Sequence, residues 1–256
     1  NITFHQNPTV ANAGPDQIGA STCGLTTVTL AGNNPTVGVG AWTVFSGAGG
    51  SFTDATVNNT TFTGTAGSTY TLRWTITNPP CLQSFDDVII TFNQNPTTAN
   101  AGPDQAGAAT CGLTTVTLAG NNPAIGVGTW SVFSGVGGSF ANAAVNNTIF
   151  TGVAGNTYVL RWIISNAPCT ASSDDVIITF NQNPTSANAG PDQLGAATCG
   201  LTTVTLAGNI AAVGTGAWTI QSGTGGSFTD ATLNNTTFSG SAGTTYVLRW
   251  TISNPP

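Results

Sequence analysis

One run of eleven letters, "CGLTTVTLAGN", occupies Cys23–Asn33, returns at Cys111–Asn121 and returns again at Cys199–Asn209. The spacing is 88 residues each time (111 − 23 and 199 − 111). A chain that repeats itself at a fixed period builds one structural unit several times, so whatever folds one period folds all of them. Solenoid repeats and propeller blades are shorter, about 20–50 residues. A period of 88 is long enough for a separate domain with a modest core of its own.

The register of the repeat sets the expected boundaries. "ITFHQNPT" at Ile2–Thr9 matches "ITFNQNPT" at Ile90–Thr97 and at Ile178–Thr185. Residues 1–6 then read as the final strand of a preceding repeat, 7–94 as repeat one, 95–182 as repeat two, and 183–256 as repeat three without its last strand. The expectation is a window on a longer tandem array.

Within a period the pattern is all-β. The chain has 33 glycines and no segment with the 3.6-residue period of an amphipathic helix; threonine, valine and phenylalanine dominate between turn-like clusters. "STYTLRWTIT", Ser68–Thr77, puts Tyr70, Leu72, Trp74 and Ile76 on one face and Thr71, Arg73, Thr75 and Thr77 on the other. Period two with a single apolar face predicts a sheet packed on one side. Further strands are expected around Val28 and Leu30, Trp42 and Val44, Phe52, Phe62, and Val88, Ile90 and Phe92, with a first strand within Thr9–Gln17. About seven strands per period is the content of a two-sheet Greek-key sandwich. "NQNPT" between repeats is short, and its proline restricts two residues. End-to-end beads of roughly 35–45 Å are expected, three of them making a rod of roughly 110–130 Å.

Charge narrows the function classes. The only basic residues are Arg73, Arg161 and Arg249; the nine acidic residues are all aspartate, for a net charge of −6. Nucleic acid finds no basic patch, and neither does an anionic membrane surface. No apolar run is long enough to span a bilayer. Without lysine, lysine–asparagine isopeptide braces cannot form, and trypsin-like proteases find only three sites, each in an expected strand.

Enzymatic chemistry finds no foothold. His5 is the only histidine, and its repeat equivalents are Asn93 and Asn181. With no glutamate, lysine or second histidine, the usual acid–base partners are missing. "GVGAW", Gly38–Trp42, lacks the lysine and helix of a phosphate loop and reads as a turn. Trp42, Trp130 and Trp218, and Trp74, Trp162 and Trp250, fall on inward strand faces, which favours core packing over a sugar-stacking surface. "NNT" at Asn58, Asn146 and Asn234 fits the N-glycosylation acceptor pattern.

Two features remain as candidate sites. Asp16, Asp104 and Asp192 in "AGPDQ", and Asp86, Asp87, Asp174 and Asp175 in "DDV", lie near expected strand ends. Calcium takes six to eight oxygens, and Asp16 of one bead could approach Asp174 and Asp175 of the next. Solvated turn aspartates are the alternative. No other cofactor is expected.

The cysteines are the second feature. Cys23, Cys111 and Cys199 form one series, Cys81 and Cys169 another, and each steps by 88. No CxxC or histidine cluster accompanies them, so zinc is not indicated. Disulfides, and hence an oxidising extracellular setting, are the expectation. Pairing within repeats would join Cys23 to Cys81 and Cys111 to Cys169. In a seven-strand sandwich, however, Cys23 precedes the second strand at one pole and Cys81 follows the sixth at the other. A disulfide tolerates Cα atoms no more than ~7 Å apart. Pairing between repeats would join Cys23 to Cys169, and Cys111 to a residue after Pro256. Both schemes stay open, with topology favouring the second.

The series "ANAGPDQ…CGLTTVTLAGN…GAWTVFSG…GGSF…NNTTFTG…GSTYTLRWTITNPPC…DDVIITF" resembles the Ig-like or PKD-like tandem repeats of large secreted Bacteroidetes surface proteins, including gliding-motility adhesins. The resemblance covers essentially the whole chain. It implies export to the cell surface, long arrays of sandwiches, roles in adhesion or filaments, and no enzymatic activity. Expected partners are neighbouring repeats and identical chains in a fibre, with surface glycans or other cells as further candidates. Two alternatives are a set of carbohydrate- or protein-binding modules, and a pilus-like subunit in which a neighbour donates Ile2–Phe4 to the third bead.

Overall fold

The computed structural model describes residues 1–255. It is all-β apart from three single 3-10 turns. In unit one the strands are β1 (Thr27–Thr29), β2 (Val39–Ser46), β3 (Ser51–Phe52), β4 (Thr61–Thr63), β5 (Thr69–Thr77) and β6 (Ser84–Thr91). They form two three-stranded sheets, in the orders β1-β4-β3 and β2-β5-β6, with every ladder antiparallel. These are the BED and CFG sheets of an Ig-like sandwich.

Unit two repeats this plan with β7 (Thr115–Thr117), β8 (Val127–Ser134), β9 (Ser139–Phe140), β10 (Ile149–Thr151), β11 (Thr157–Asn166) and β12 (Cys169–Thr179). Unit three has β13 (Thr203–Thr205), β14 (Thr215–Ser222), β15 (Ser227–Phe228), β16 (Thr237–Ser239) and β17 (Val247–Ser253), with β14 and β17 as a two-stranded sheet.

The alternation read in Ser68–Thr77 is the burial pattern of β5: Tyr70, Leu72, Trp74 and Ile76 are fully buried and the residues between them are half-exposed. Each unit has a separate core. In unit one Phe62 meets Tyr70 edge-on at 5.0 Å and Phe92 at 6.3 Å, and Trp42 tilts on Trp74 at 5.0 Å. The two tryptophans stand opposite each other across β2 and β5. The Trp74 ring lies over Gly40, so a Cβ at that position would collide with the indole; this explains a glycine in the middle of a strand.

The first strand expected within Thr9–Gln17 does not join a ladder. Only Gln17 bridges Ile90, in parallel. The segment is fastened to β6 by side chains instead: Ala11 N–H donates to Ser84 Oγ (2.9 Å), Ala13 N–H to Asp86 Oδ2 (2.8 Å), and Ile89 N–H to Asp16 Oδ1 (2.8 Å). Pro15 has no N–H to give, and Gly14 turns the chain with φ of 85°. A regular ladder is therefore broken at that point.

Tyr70, at the start of β5, closes a corner. Its hydroxyl accepts from Thr65 N–H (2.9 Å) and donates to the Ala48 carbonyl (3.0 Å). Ig-like sandwiches use a tyrosine in the same place to tie the corner before this strand.

Candidate functional site: the junction between units

The chemistry expected of a site converges where unit one meets unit two. Cys23 follows the 3-10 turn Gly19–Thr22. That turn is held to the end of unit one by Asn93, whose amide donates to the Gly19 carbonyl (2.9 Å) and Thr22 Oγ1 (3.0 Å). Gly24 N–H donates back to the Asn93 carbonyl (2.8 Å). From the other side Asn166, in the β11–β12 hairpin of unit two, donates to the Gln94 carbonyl (2.7 Å). Adjacent linker residues are thus gripped by opposite units. Thr97 then fastens the chain to unit two, its hydroxyl accepting from Ala124 and Ile125 N–H.

Across this junction Cys23 is bonded to Cys169, with Cα atoms 5.6 Å apart and 146 residues of sequence between them. That separation lies inside the range a disulfide accepts without backbone movement. The Cys169 side chain is buried. The 3-10 turn brings Cys23 to the exit pole of unit one, and the hairpin brings Cys169 to the entry pole of unit two. Cys81, the alternative partner of Cys23, is a free thiol, as are Cys111 and Cys199.

The second junction repeats the non-covalent clamps. Asn181 donates to the Gly107 carbonyl (2.9 Å), Gly112 N–H to the Asn181 carbonyl (2.8 Å), and Asn254 to the Gln182 carbonyl (2.8 Å). Thr185 accepts from Ala212 and Val213 N–H. Cys111 stands there as Cys23 does at the first junction, after the 3-10 turn Gly107–Thr110. Ahead of unit one, Asn78 donates to the Gln6 carbonyl (2.7 Å), while exposed His5 stands where Asn93 and Asn181 stand.

The candidate calcium aspartates are placed differently from expectation. Asp16 accepts from Ile89, Asp104 from Ile177 (2.8 Å), Asp86 from Ala13 and Asp174 from Ala101 (2.8 Å), each within its own unit. Asp16 is thus committed to its own last strand, and the expected approach to Asp174 and Asp175 of the next bead is not how these carboxylates are used. Asp87 and Asp175 form two-point ion pairs with Arg73 and Arg161 across the sheet. The guanidinium hydrogen bonds hold both carboxylates below their ordinary pKa, outweighing partial desolvation. Arg73 also lies 4.1 Å from the ring centres of both Phe45 and Phe85. Asp192 lines a groove in unit three. Among the described residues no three His, Cys, Asp or Glu side chains gather as a metal would require.

Trp42, Trp74, Trp130, Trp162, Trp218 and Trp250 are all buried. The Asn58 side-chain nitrogen, the acceptor atom of the glycosylation pattern, donates to the Gly32 carbonyl (2.7 Å), while the Asn58 backbone carbonyl accepts from the Trp42 indole (3.2 Å). A glycan there would have to break a turn. Reading the sequence for chemistry overlooked the clamps Asn93, Asn166, Asn181 and Asn254. Their recurrence at the 88-residue step, beside each linker, was the available signal.

No protein-family model matches the chain, and no curated protein matches it. Solved structures similar to it include human CDH23 EC21–23, at 13% identity and TM-score 0.34, covering 68% of this chain and 63% of that one. Another is the five immunoglobulin domains of Sidekick-1, at 9% identity and TM-score 0.42, covering 84% of this chain and 48% of that one. The fibronectin(III)-like modules of Clostridium thermocellum CbhA are similar at 14% identity and TM-score 0.29, covering 66% and 90%. The chain thus spans less than two thirds of the first two. The Ig-like assignment rests on the strand order described above.

Proposed function

We propose that the chain is a structural repeat segment of an extracellular cell-surface adhesin or filament, a stalk or fibre of the kind its resemblance to secreted Bacteroidetes repeats implies. The observation that carries this reading is the Cys23–Cys169 staple, which fixes one unit to the next rather than bracing either unit internally. Such a bond does nothing for a catalytic pocket and a great deal for a chain of beads that must keep its direction. It also belongs to an oxidising compartment. The reading assigns the units no enzymatic role, and their work is extension and spacing. The carbohydrate-binding alternative loses its main support, because the aromatic residues it would use are in the cores.

Small-angle scattering of the oxidised chain tests the proposal. A stiff particle with a maximum dimension of roughly 110–130 Å is expected. A compact particle, or a flexible string that reduction leaves unchanged, would overturn it.

A further inference from the structure

The path of the chain around the staple has a mechanical meaning. The segment before Cys23 runs alongside β6 in strict one-to-one register. Ala11 is fastened to Ser84, Ala13 to Asp86 and Asp16 to Ile89, and Gln17 bridges Ile90. Each of these pairs is 73 residues apart, so from Ala11 to Gln17 the segment keeps pace with the strand beside it, residue for residue, despite the turn at Gly14. It ends at the exit pole of unit one, where the 3-10 turn delivers Cys23 to Cys169. Cys169 is the first residue of β12, which then runs the length of unit two to Thr179. Two stretches in successive units are therefore joined end to end by a covalent bond.

A second stretch runs beside the first. β6 continues through the linker into the opening segment of unit two, where Ala99 is fastened to Ser172, Ala101 to Asp174 and Asp104 to Ile177. Within unit two the two tracks are parallel neighbours, bridged at Gln105 and Ile178. Strands β1 to β5 of unit one and β7 to β11 of unit two all lie between Cys23 and Cys169 in sequence, inside the ring that the disulfide closes.

We infer that the Cys23–Cys169 disulfide joins the opening segment of unit one and the last strand of unit two into one tensile track, which carries pulling force along one edge of each unit rather than through the strands inside the ring. Tension entering at the N-terminal end passes along the segment beside β6 and through the short 3-10 turn Gly19–Thr22, crosses the sulfur–sulfur bond, and leaves along β12. Unfolding the β2-β5 or β8-β11 ladders would lengthen nothing on that track, because those strands hang from it as a closed loop. A stack of Ig-like beads without the staple would instead lengthen one domain at a time. This inference rests on the stalk reading for its biological use, though not for its mechanics.

Single-molecule pulling on the 256-residue chain, held at its two ends, tests it. The oxidised chain should yield only the unfolding of unit three, because force reaches the body of that unit directly. Reductant should then release the ring of 146 residues, about 510 Å of extra contour at ~3.5 Å per residue. The double variant Cys23→Ser, Cys169→Ser should behave as the reduced protein. The double variant Cys81→Ser, Cys111→Ser should match the oxidised parent. Three unfolding events from the oxidised chain would overturn the inference, as would an absence of added length on reduction. Release in two steps of about 200 Å, the signature of 58-residue rings from 23 to 81 and 111 to 169, would overturn it too. A chain that fails the scattering test but releases one ring of 146 residues would keep this mechanism and lose the stalk reading.

Discussion

Units two and three are spelled almost alike as far as Pro256, where the 256 residues stop short of the stretch that would match β12, so the pair compares one sandwich with and without that strand. Unit two buries Tyr158, Leu160, Val176, Ile178 and Phe180 completely or nearly so. In unit three Tyr246 and Leu248, the equivalents of the first two, are only half-buried and border the groove. The difference is β12. Its inward side chains cover the far end of β11, and Phe180 adds a ring 6.3 Å from Phe150 and 6.1 Å from Tyr158. The same strand also anchors the opening segment, through Ser172 and Asp174. Among the described residues of unit three, that segment is held only locally, by bonds such as Asn188 N–H to Asn209 Oδ1 (2.7 Å). One strand thus supplies core, lid and anchor together.

The largest consequence concerns local stability. Burial of Val, Ile and Phe side chains stabilises by roughly 1.5–3 kcal/mol each. Three such contributions approach the whole stability of a small domain, about 5–15 kcal/mol. Hydrogen exchange should therefore show β17 amides opening far more readily than those of β11, by several orders of magnitude at matched positions such as Leu248 and Leu160. Equal protection in the two strands would break the comparison, since β12 would then be dispensable.

Removing one ring should move unit two part of the way towards unit three. Phe180→Ala is expected to cost about 3–5 kcal/mol, visible as a separate early transition for unit two in calorimetry while unit three is unchanged. A smaller step sharpens the point. Gly128 lies under the Trp162 ring as Gly216 lies under Trp250. Overpacking there should cost about 1–3 kcal/mol. Gly128→Ala should take the upper end of that range and Gly216→Ala less, because the looser core of unit three can yield. Paired denaturant titrations of the two variants would show it, and identical costs would mean that both cores are equally rigid.

Much of this was readable from the letters. Alternation in Ser68–Thr77 fixes which residues of β5 face inward, because a strand that covers a core on one side has no freedom in that choice. The identical eleven-residue runs announce that one fold is used three times. Composition limits the side-chain chemistry on offer before any geometry is known, with one histidine and no lysine or glutamate. What could not be read is how Thr9–Gln17 attaches. Its donors are satisfied by Ser84 and Asp86, side chains 73 residues away, and no local pattern encodes such a pairing. The backbone partners of the aspartates were out of reach for the same reason: a carboxylate suited to a cation is equally suited to a backbone N–H, and only the fold tells which N–H is near. The cysteine pairing was half legible. Spacing alone allowed two schemes, and the pole argument preferred the one in which Cys23 bonds to Cys169.

The smallest expected effect is electrostatic and has a definite sign. Arg161 holds Asp175 below its usual value of 3.8 through hydrogen bonds, and Arg73 does the same for Asp87. A carboxylate whose folded pKa is depressed contributes stability that is fully present above the unfolded value. That contribution disappears as the pH falls through the folded one. Both pairs are partly exposed, with side-chain accessibilities of 24% and 35% in unit one and 31% and 37% in unit two, so solvent and salt weaken them. Asp175→Asn should therefore lower the melting temperature of unit two slightly at about pH 7, and the gap should close as the pH falls through the depressed folded value and the parent carboxylate takes up its proton. Unit three is the internal control, because Arg249 forms no ion pair among the described residues. Arg249→Gln should leave no pH-dependent gap. Asp54 and Asp230 are also held low, by hydrogen bonds from Thr56 and Thr232. Asn142 fills that place in unit two, so this turn adds no titration there. A gap for Asp175→Asn that survives at low pH would show that the aspartate acts through packing on the sheet face rather than through its charge.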